Sequence, residues 1–185
     1  NNQTMVLTLW IDENDLHSKF KLFYWSLANA EEVEIDLNSG STQLEDNAVV
    51  IVPGYNWALA KRMVSGADVW LNTPYRYEEA SGTSGMTAAF NGSINLSIND
   101  GWIPEFQKNG ENCFVLPELD HKRPVWEQDQ EDCANLFDIL ENVVLTTYYD
   151  KPKKWQEIVF NGITDTIPEF TSNRMADQYY KELYK

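Results

Sequence analysis

Short runs of apolar, β-favouring residues alternate along the first two thirds of the chain with stretches in which apolar residues recur at helical spacing. The runs predict strands at residues 6–10, 33–37, 49–52, 68–71, 94–98 and 113–116. The periodic stretches predict helices at residues 16–30, 57–64 and 84–91. Strands and helices that alternate in this way form α/β layers, so we expect a Rossmann-like, mostly parallel sheet with helices on both of its faces.

The last third of the chain changes to a purely helical pattern. Three helices are predicted, at residues 129–147, 152–160 and 172–184, and Ser172 is the expected N-cap of the last one. The first of them carries apolar residues that should share one face: Cys133, Leu136, Phe137, Leu140 and Val144. We therefore divide the chain into a Rossmann-like portion, residues 1–128, and a C-terminal helical segment, residues 129–185, that packs on the same domain.

Composition narrows the classes of protein to consider. With 185 residues, of which 43% are hydrophobic, the chain can bury the core of one domain. Its 29 acidic and 14 basic residues give a net charge of −15, which repels a phosphate backbone and excludes nucleic acid as a partner. No apolar run approaches the ~20 residues that span a bilayer, so no membrane partner is expected.

Cysteine and histidine are scarce in this chain. It has two of each, too few for a zinc cluster, so no metal site is expected. Cys113 and Cys133 are interpreted as free thiols, and the expected setting is the reducing cytoplasm. Carboxylates crowd the segment between the sheet and the long helix, and we interpret them as solvated or helix-terminal charges: Glu118, Asp120, Glu127, Asp129, Glu131 and Asp132.

The segment from residue 71 to residue 101 carries the candidate chemistry. A predicted strand ends near Leu71, the adjacent acids Glu78 and Glu79 follow, and the small residues 80–85 lead straight into a helix. Such a turn exposes backbone N–H groups at the positive end of the helix dipole, which suits phosphate. A carboxylate just before it can accept hydrogen bonds from sugar hydroxyls. The same residues also fit a plain strand-to-helix turn whose glycines are conformational necessities.

The order of the residues in this segment is distinctive. Residues 79–86 read EASGTSGM, and the pairs AA, NG and DG follow before residue 102. This run resembles the motif of the α-glucan phosphorylases, the family of the glycogen, starch and maltodextrin phosphorylases. The resemblance is close from about residue 49 to residue 102, weaker from there to residue 185, and absent over residues 1–47.

The resemblance implies a glycosyltransferase of the GT-B architecture, in which two Rossmann-like halves enclose the active-site cleft. This chain resembles only the latter part of the C-terminal half, on the donor and phosphate side. A missing N-terminal half is then the expected partner, and the isolated chain should fold but be inactive. The reaction implied is reversible transfer of a glucosyl unit from the end of an α-1,4-glucan to phosphate, which gives glucose 1-phosphate.

The resemblance also implies roles for residues of the motif. Glu79 would accept hydrogen bonds from hydroxyls of the transferred glucosyl unit, and the backbone N–H groups of Ser81 and Gly82 would help to hold the same sugar. The phosphate-binding end of the helix would consist of Gly82, Thr83 and Ser84. The ligands implied are therefore an α-glucan and glucose 1-phosphate.

The motif departs from the family at one position. The family has a lysine directly after the methionine, and that lysine carries pyridoxal phosphate as a Schiff base. Here the residue is Thr87, which has no amine, so we expect no covalently bound cofactor. Tyr55 would lie beside the cofactor in the family.

Three functions remain open at this point. The first is the donor-side part of a glucosyltransferase that resembles α-glucan phosphorylase. The second is a GT-B transferase that uses a nucleotide sugar and no pyridoxal phosphate. The third is a non-catalytic domain that binds a glucan or a partner. Absorbance in the pyridoxal band separates the first from the others, and a donor-binding assay separates the second from the third.

Overall fold

The computed structural model describes residues 7–9, 22–26, 31–35 and 56–184. The predicted strand at residues 49–52 and Tyr55 lie outside the described residues. Contacts divide the chain into two units, one formed by Asn1–Leu9 with Ala58–Lys185 and the other by Trp10–Trp57. The strands are β1 (Leu7–Leu9), β2 (Leu22–Ser26), β3 (Glu31–Ile35), β4 (Val69–Asn72), β5 (Ile94–Ser97) and β6 (Phe114–Val115).

Helices account for most of the remaining described residues. They are α1 (Trp57–Gly66), α2 (Thr83–Phe90), α3 (Ile103–Phe106), α4 (Val125–Ile139), α5 (Thr146–Asp150), α6 (Pro152–Phe170) and α7 (Ser172–Glu182). A π-helical segment, Leu140–Leu145, joins α4 to α5 without a break. Within the described ranges, none of these helices is both long and apolar enough to cross a lipid bilayer.

Four strands of the first unit form one parallel sheet in the order β1-β4-β5-β6. Leu71 of β4 lies opposite Leu96 of β5, and Leu96 lies opposite Phe114 of β6, so the three apolar side chains form a row. All three are buried. The predicted α/β fold with a mostly parallel sheet is therefore confirmed, and so are the strands expected around residues 68–71, 94–98 and 113–116.

Helices cover both faces of the sheet, as predicted. Val69 and Leu71 of β4 belong to a buried cluster with Val144 and Trp155 of the C-terminal helices. Trp70 points to the opposite face, where it packs with Ala88 of α2 and with α1. The alternation follows from the two-residue period of a strand, which sends neighbouring side chains to opposite faces.

The prediction of a helix at residues 16–30 is wrong for residues 22–26, the part of this range that the structure describes. Leu22–Ser26 is a strand that pairs antiparallel with Glu31–Ile35, with Leu22 opposite Ile35 and Ser26 opposite Glu31. Phe, Tyr and Trp stand in succession in β2, and large aromatic side chains favour strands when a partner strand is present. That partner is β3, so the strand predicted at residues 33–37 exists but belongs to a separate two-stranded sheet.

The predicted apolar face of the long helix is only partly correct. Val144 is buried and Leu136 and Leu140 pack against the sheet, whereas Cys133 is exposed and Phe137 is 43% exposed. Leu136, Leu140 and Val144 follow one another at intervals of four and form one line along the helix. Cys133 and Phe137 form a neighbouring line that the sheet does not reach.

The last two helices also differ in detail from the prediction. Helix α6 continues to Phe170, well past residue 160, and its Gly162 is buried where the backbone carbonyl of Asn112 approaches. The N-cap of α7 is Thr171, so the prediction of Ser172 is wrong by one residue. The short helix α3 had no counterpart in the prediction.

Candidate functional site

Three loops meet at the carboxyl edge of the parallel sheet. They are residues 73–82 after β4, residues 98–102 after β5 and residues 116–124 after β6. Ligands of open α/β sheets bind at this edge, because the strand ends and helix N-termini converge there. The residues singled out by the sequence, 79–87, lie in the first loop and in α2.

Gly82 forms the turn into α2. Its φ of 84° and ψ of 53° are left-handed, a conformation that glycine adopts without a steric penalty. Thr83 and Ser84, in the first turn of α2, are exposed, and Ser81 and Gly82 are half-buried. The first N–H groups of a helix lack partners within the helix and carry the positive end of its dipole. The structure therefore places residues 82–84 at an exposed helix entrance, and the binding of phosphate there stays a prediction.

Gly85 is required for a different reason, which is close packing. A Cβ atom at Gly85 would lie 2.7 Å from Oδ1 of Asn95 and 3.2 Å from Nδ2 of Asn72. These asparagines are already joined, since Nδ2 of Asn72 donates to Oδ1 of Asn95 over 2.8 Å. Nδ2 of Asn95 in turn donates to the carbonyl of Gly85 over 3.1 Å. The first turn of α2 is thus fastened to β4 and β5.

The loops after β4 and β5 interlock around Glu79. The N–H of Glu79 donates to Oδ2 of Asp100 over 3.1 Å, and the N–H of Trp102 donates to the carbonyl of Ser81 over 2.9 Å. Gly101 has a φ of 61°, and a Cβ there would lie 2.6 Å from the carbonyl oxygen of Ser81. The backbone around Glu79 is therefore held on both sides while its carboxylate remains exposed.

Trp102 supports this region from beneath. It is 4% exposed, and its ring stacks on Phe106 at a centroid distance of 4.4 Å and meets the edge of Phe170 at 5.1 Å. Its Cδ1 lies 3.4 Å from the position that a Cβ would take at Gly82. Trp102 is thus a core residue that packs against the turn at Gly82.

Arg76 is the main feature that sequence reasoning missed. Its side chain is only 5% exposed, and its Nε donates to Oδ2 of Asp132 in α4 over 3.2 Å. Its Nη2 donates to the carbonyl of Pro117 over 2.8 Å and also to Oδ1 of Asp132. Nη1 lies 3.5 Å from Oε2 of Glu118, whose Oε1 accepts from Asn99. Arg76 therefore ties the loop that carries Glu79 to the other two loops and to α4.

The acidic segment is organised by two arginines. Arg123 pairs with Glu127 and Glu131, and the hydrogen bonds that it donates to Glu131 and Glu127 raise the pKa of its guanidinium. Asp132 has a side chain only 16% exposed and pairs with Arg76, so the interpretation of this segment as solvated charge does not hold for it. Among the described residues, no group of three His, Cys, Asp or Glu side chains could hold a metal ion.

Thr87 lies one turn into α2 and is exposed. Its Oγ1 donates to the carbonyl of Thr83 over 2.9 Å, a bond within the helix itself. Lys108 lies in another part of the chain, where its ammonium pairs with Asp165 at 3.0 Å. The structure thus brings Glu79, Ser81 and residues 82–84 together at one edge, while their roles towards a ligand stay predictions.

The structure describes the surroundings of both cysteines and of one of the two histidines. Cys113 and Cys133 are free thiols, as expected, and burial raises the pKa of Cys113 to about 12. Cys113 therefore stays protonated at physiological pH, and Cys133 is the exposed thiol. His121 meets the ring of Tyr77 edge-on, and His17 lies outside the described residues.

Several known proteins are similar to this chain over most of its length. The chain is 40% identical over 139 residues to the maltodextrin phosphorylase of Thermococcus litoralis and 35% identical over 141 residues to the glycogen phosphorylase of Mycobacterium tuberculosis. These alignments cover 75% and 74% of this chain. This chain is related to the α-glucan phosphorylases. A protein of unknown function from Methanocaldococcus jannaschii is 32% identical over 170 residues, or 91% of this chain.

The relationship concerns a limited part of each relative. The aligned residues make up 16% of the two phosphorylases and 29% of the Methanocaldococcus protein. The chain thus spans less than a third of the length of the relatives that it matches. No protein-family model matches the chain.

Proposed function

We propose that this chain forms the donor- and phosphate-side part of a glycosyltransferase that acts on α-1,4-glucans, as an α-glucan phosphorylase does. The observation that carries the proposal is the glycine turn at the N-terminus of α2 with the exposed carboxylate of Glu79 beside it. Relatives named maltodextrin and glycogen phosphorylase support it. Its ligands would be an α-glucan and glucose 1-phosphate.

The chemistry proposed for the site divides between two groups. The carboxylate of Glu79 accepts hydrogen bonds from two neighbouring sugar hydroxyls. The N–H groups at the start of α2 face a phosphate, whose charge stabilises the oxocarbenium-like sugar that forms as the glycosidic bond breaks. Because the chain carries a net charge of −15, bulk electrostatics oppose phosphate and only this local geometry favours it.

The proposed active site also needs residues from another part of the protein, which would line the opposite side of the cleft. In a GT-B architecture the groups that complete the site come from the other half of the protein, and catalysis needs both sets within about 0.5 Å of working geometry. We therefore propose that residues 1–185 alone bind ligand weakly and do not turn it over. The two free thiols support the reducing, cytoplasmic setting that we propose for the protein.

The residues present do not fit covalent attachment of pyridoxal phosphate. Attachment as a Schiff base needs an amine, and Thr87 offers a hydroxyl that already donates to the carbonyl of Thr83. We therefore propose that this chain holds no covalent pyridoxal phosphate, and no step of the proposed chemistry passes through that group. The alternative function is a transferase that uses a nucleotide sugar as its donor and no pyridoxal phosphate. A donor-binding assay with a nucleotide sugar tests this alternative.

Incubation with pyridoxal phosphate followed by borohydride reduction should leave the peptide that contains Thr87 unlabelled, because no amine is available there. Mass spectrometry of the digested protein measures this directly. The Thr87→Lys variant serves as the control, since it places an amine at the exposed position one turn into α2. A label on the parent peptide, or none on the variant peptide, would contradict the proposed position of the motif.

Glu79→Ala should weaken binding of glucose 1-phosphate by about 1.5–3 kcal/mol, which is roughly a 10- to 150-fold increase in Kd. The cause is the loss of charge-assisted hydrogen bonds to the sugar hydroxyls. Calorimetric titration measures the effect, and amide NMR shifts should map to residues 79–87. Glu78→Ala is the matched control, an adjacent exposed carboxylate that should keep the parent Kd within about twofold. Unchanged binding by Glu79→Ala would overturn the proposed site.

A further inference from the structure

Tyr77 occupies an unfavourable backbone position in the loop after β4. Its φ is 67°, and among the described residues it is the one non-glycine residue with a positive φ. The N–H of Glu78 donates to the carbonyl of Tyr75 over 3.1 Å, so residues 75–78 form a turn, which we call the Tyr77 turn. Positive φ at the third residue of a turn favours Gly or Asn, and a bulky side chain there is strained.

The Tyr77 turn keeps this conformation because it is held on both sides. Before Tyr77, the side chain of Arg76 is fixed by Asp132 and by the carbonyl of Pro117. After it, the N–H of Glu79 is fixed by Asp100. Strained conformations persist only where the surroundings over-determine them, and they concentrate at functional sites.

Burial does not offset the strain at Tyr77. The residue is 62% exposed, and its recorded ring contact is an edge-on one with His121, at a centroid distance of 5.6 Å and an interplanar angle of 85°. A tyrosine that served the core would lose most of its exposure on folding. Tyr77 is instead exposed, and so are Glu78 and Glu79, the two residues that follow it in the sequence.

This combination matches the chemistry of a sugar ring. A pyranose has an apolar face of C–H groups and a rim of hydroxyls, so it is recognised by an aromatic face together with hydrogen-bond acceptors. We propose that Tyr77, oriented by His121 and assisted by Glu78, forms a stacking surface for a glucosyl unit of an α-glucan chain. The unit would be a neighbour of the one that Glu79 holds. The inference rests on the proposed function and adds a glucan-chain subsite to it.

The decisive variant is Tyr77→Asn in the full-length protein, because Asn tolerates the left-handed backbone and removes the ring. Its melting temperature should equal or exceed that of the parent. The Kd for maltoheptaose should rise about tenfold, while the Kd for glucose 1-phosphate should stay within twofold. Tyr77→Phe, which keeps the ring face, should retain glucan affinity within about threefold. Tyr180→Asn is the matched control, an exposed tyrosine on α7 that should leave both ligands unaffected.

The outcomes distinguish the inference from the function on which it rests. If Tyr77→Asn binds maltoheptaose like the parent while Glu79→Ala loses glucose 1-phosphate, the stacking surface is wrong and the proposed function stands. If the parent binds neither ligand, both are wrong. If Tyr77→Asn changes self-association in ultracentrifugation and leaves glucan affinity unchanged, the ring serves a protein interface and the inference is overturned.

Discussion

Asp132→Ala should lower the free energy of unfolding by about 3–5 kcal/mol, because it leaves the guanidinium of Arg76 buried without its main partner. The Arg76 side chain is 5% exposed and directs both Nε and Nη2 to this carboxylate. The carbonyl of Pro117 would remain as an acceptor, and the carboxylate of Glu118, which lies 3.5 Å from Nη1 on a side chain that is 53% exposed, would neutralise the charge only in part. Urea denaturation followed by tryptophan fluorescence measures the change.

The matched control for Asp132→Ala is Asp177→Ala. Asp177 pairs with Lys181 on α7, and the two side chains are 59% and 69% exposed. An exposed pair of this spacing contributes only about 0.3–0.5 kcal/mol. If the two variants lose similar stability, the interpretation of Arg76 as a buried anchor of the site loops fails. The variant Arg76→Met with Asp132→Leu should recover part of the loss, since it removes both charges together.

Gly101→Ala should have the second large effect, on stability and on ligand binding together. Gly101 has a φ of 61°, and a residue with a Cβ in this conformation destabilises the folded state by about 1–3 kcal/mol. Overpacking against the carbonyl oxygen of Ser81 at 2.6 Å and against Cγ of Glu79 at 2.8 Å should add about 1–3 kcal/mol. Because relief of the contact moves Ser81 and Glu79, glucose 1-phosphate should also bind more weakly. Chemical denaturation and calorimetric titration measure the two effects.

Gly110→Ala separates the two causes. Gly110 also has a positive φ, 77°, but no heavy atom lies within 4 Å of the position of its Cβ. This variant should therefore show the backbone cost alone and leave the ligand affinity unchanged. Equal losses for Gly101→Ala and Gly110→Ala would mean that the loops after β4 and β5 do not interlock as described.

Much of the secondary structure of the first unit could be predicted from the local sequence. The strands β4, β5 and β6 and the helix α2 were all predicted, because an apolar run ended by small or polar residues has few alternatives. The hairpin of β2 and β3 was not predicted. Its stability depends on pairing between residues 22–26 and 31–35, and the aromatic run in β2 also fits the spacing of a helix.

The candidate site divides in a similar way. The residues at the helix entrance, including Glu79 and Gly82, could be identified because their order is a local property of the chain. Arg76 gave no such signal, since a single arginine in a loop is ordinarily solvated. Its partner Asp132 lies 56 residues away on α4, so only the folded chain brings the pair together. The same holds for the contact between Tyr77 and His121.

The amino-acid sequence by itself therefore determined the α/β class, the glycine turn into α2 and the absence of an amine at Thr87, because each depends on neighbouring residues or on side-chain chemistry alone. Tertiary structure decided which carboxylates are paired and which are exposed. It also brings Ser81 and Glu79 so close to Gly101 that only glycine fits there. Contacts on both sides hold Tyr77 at a positive φ, a backbone conformation that tyrosine disfavours. These properties arise from residues distant in sequence, whose proximity is created only when the loops at the carboxyl edge of the sheet pack together.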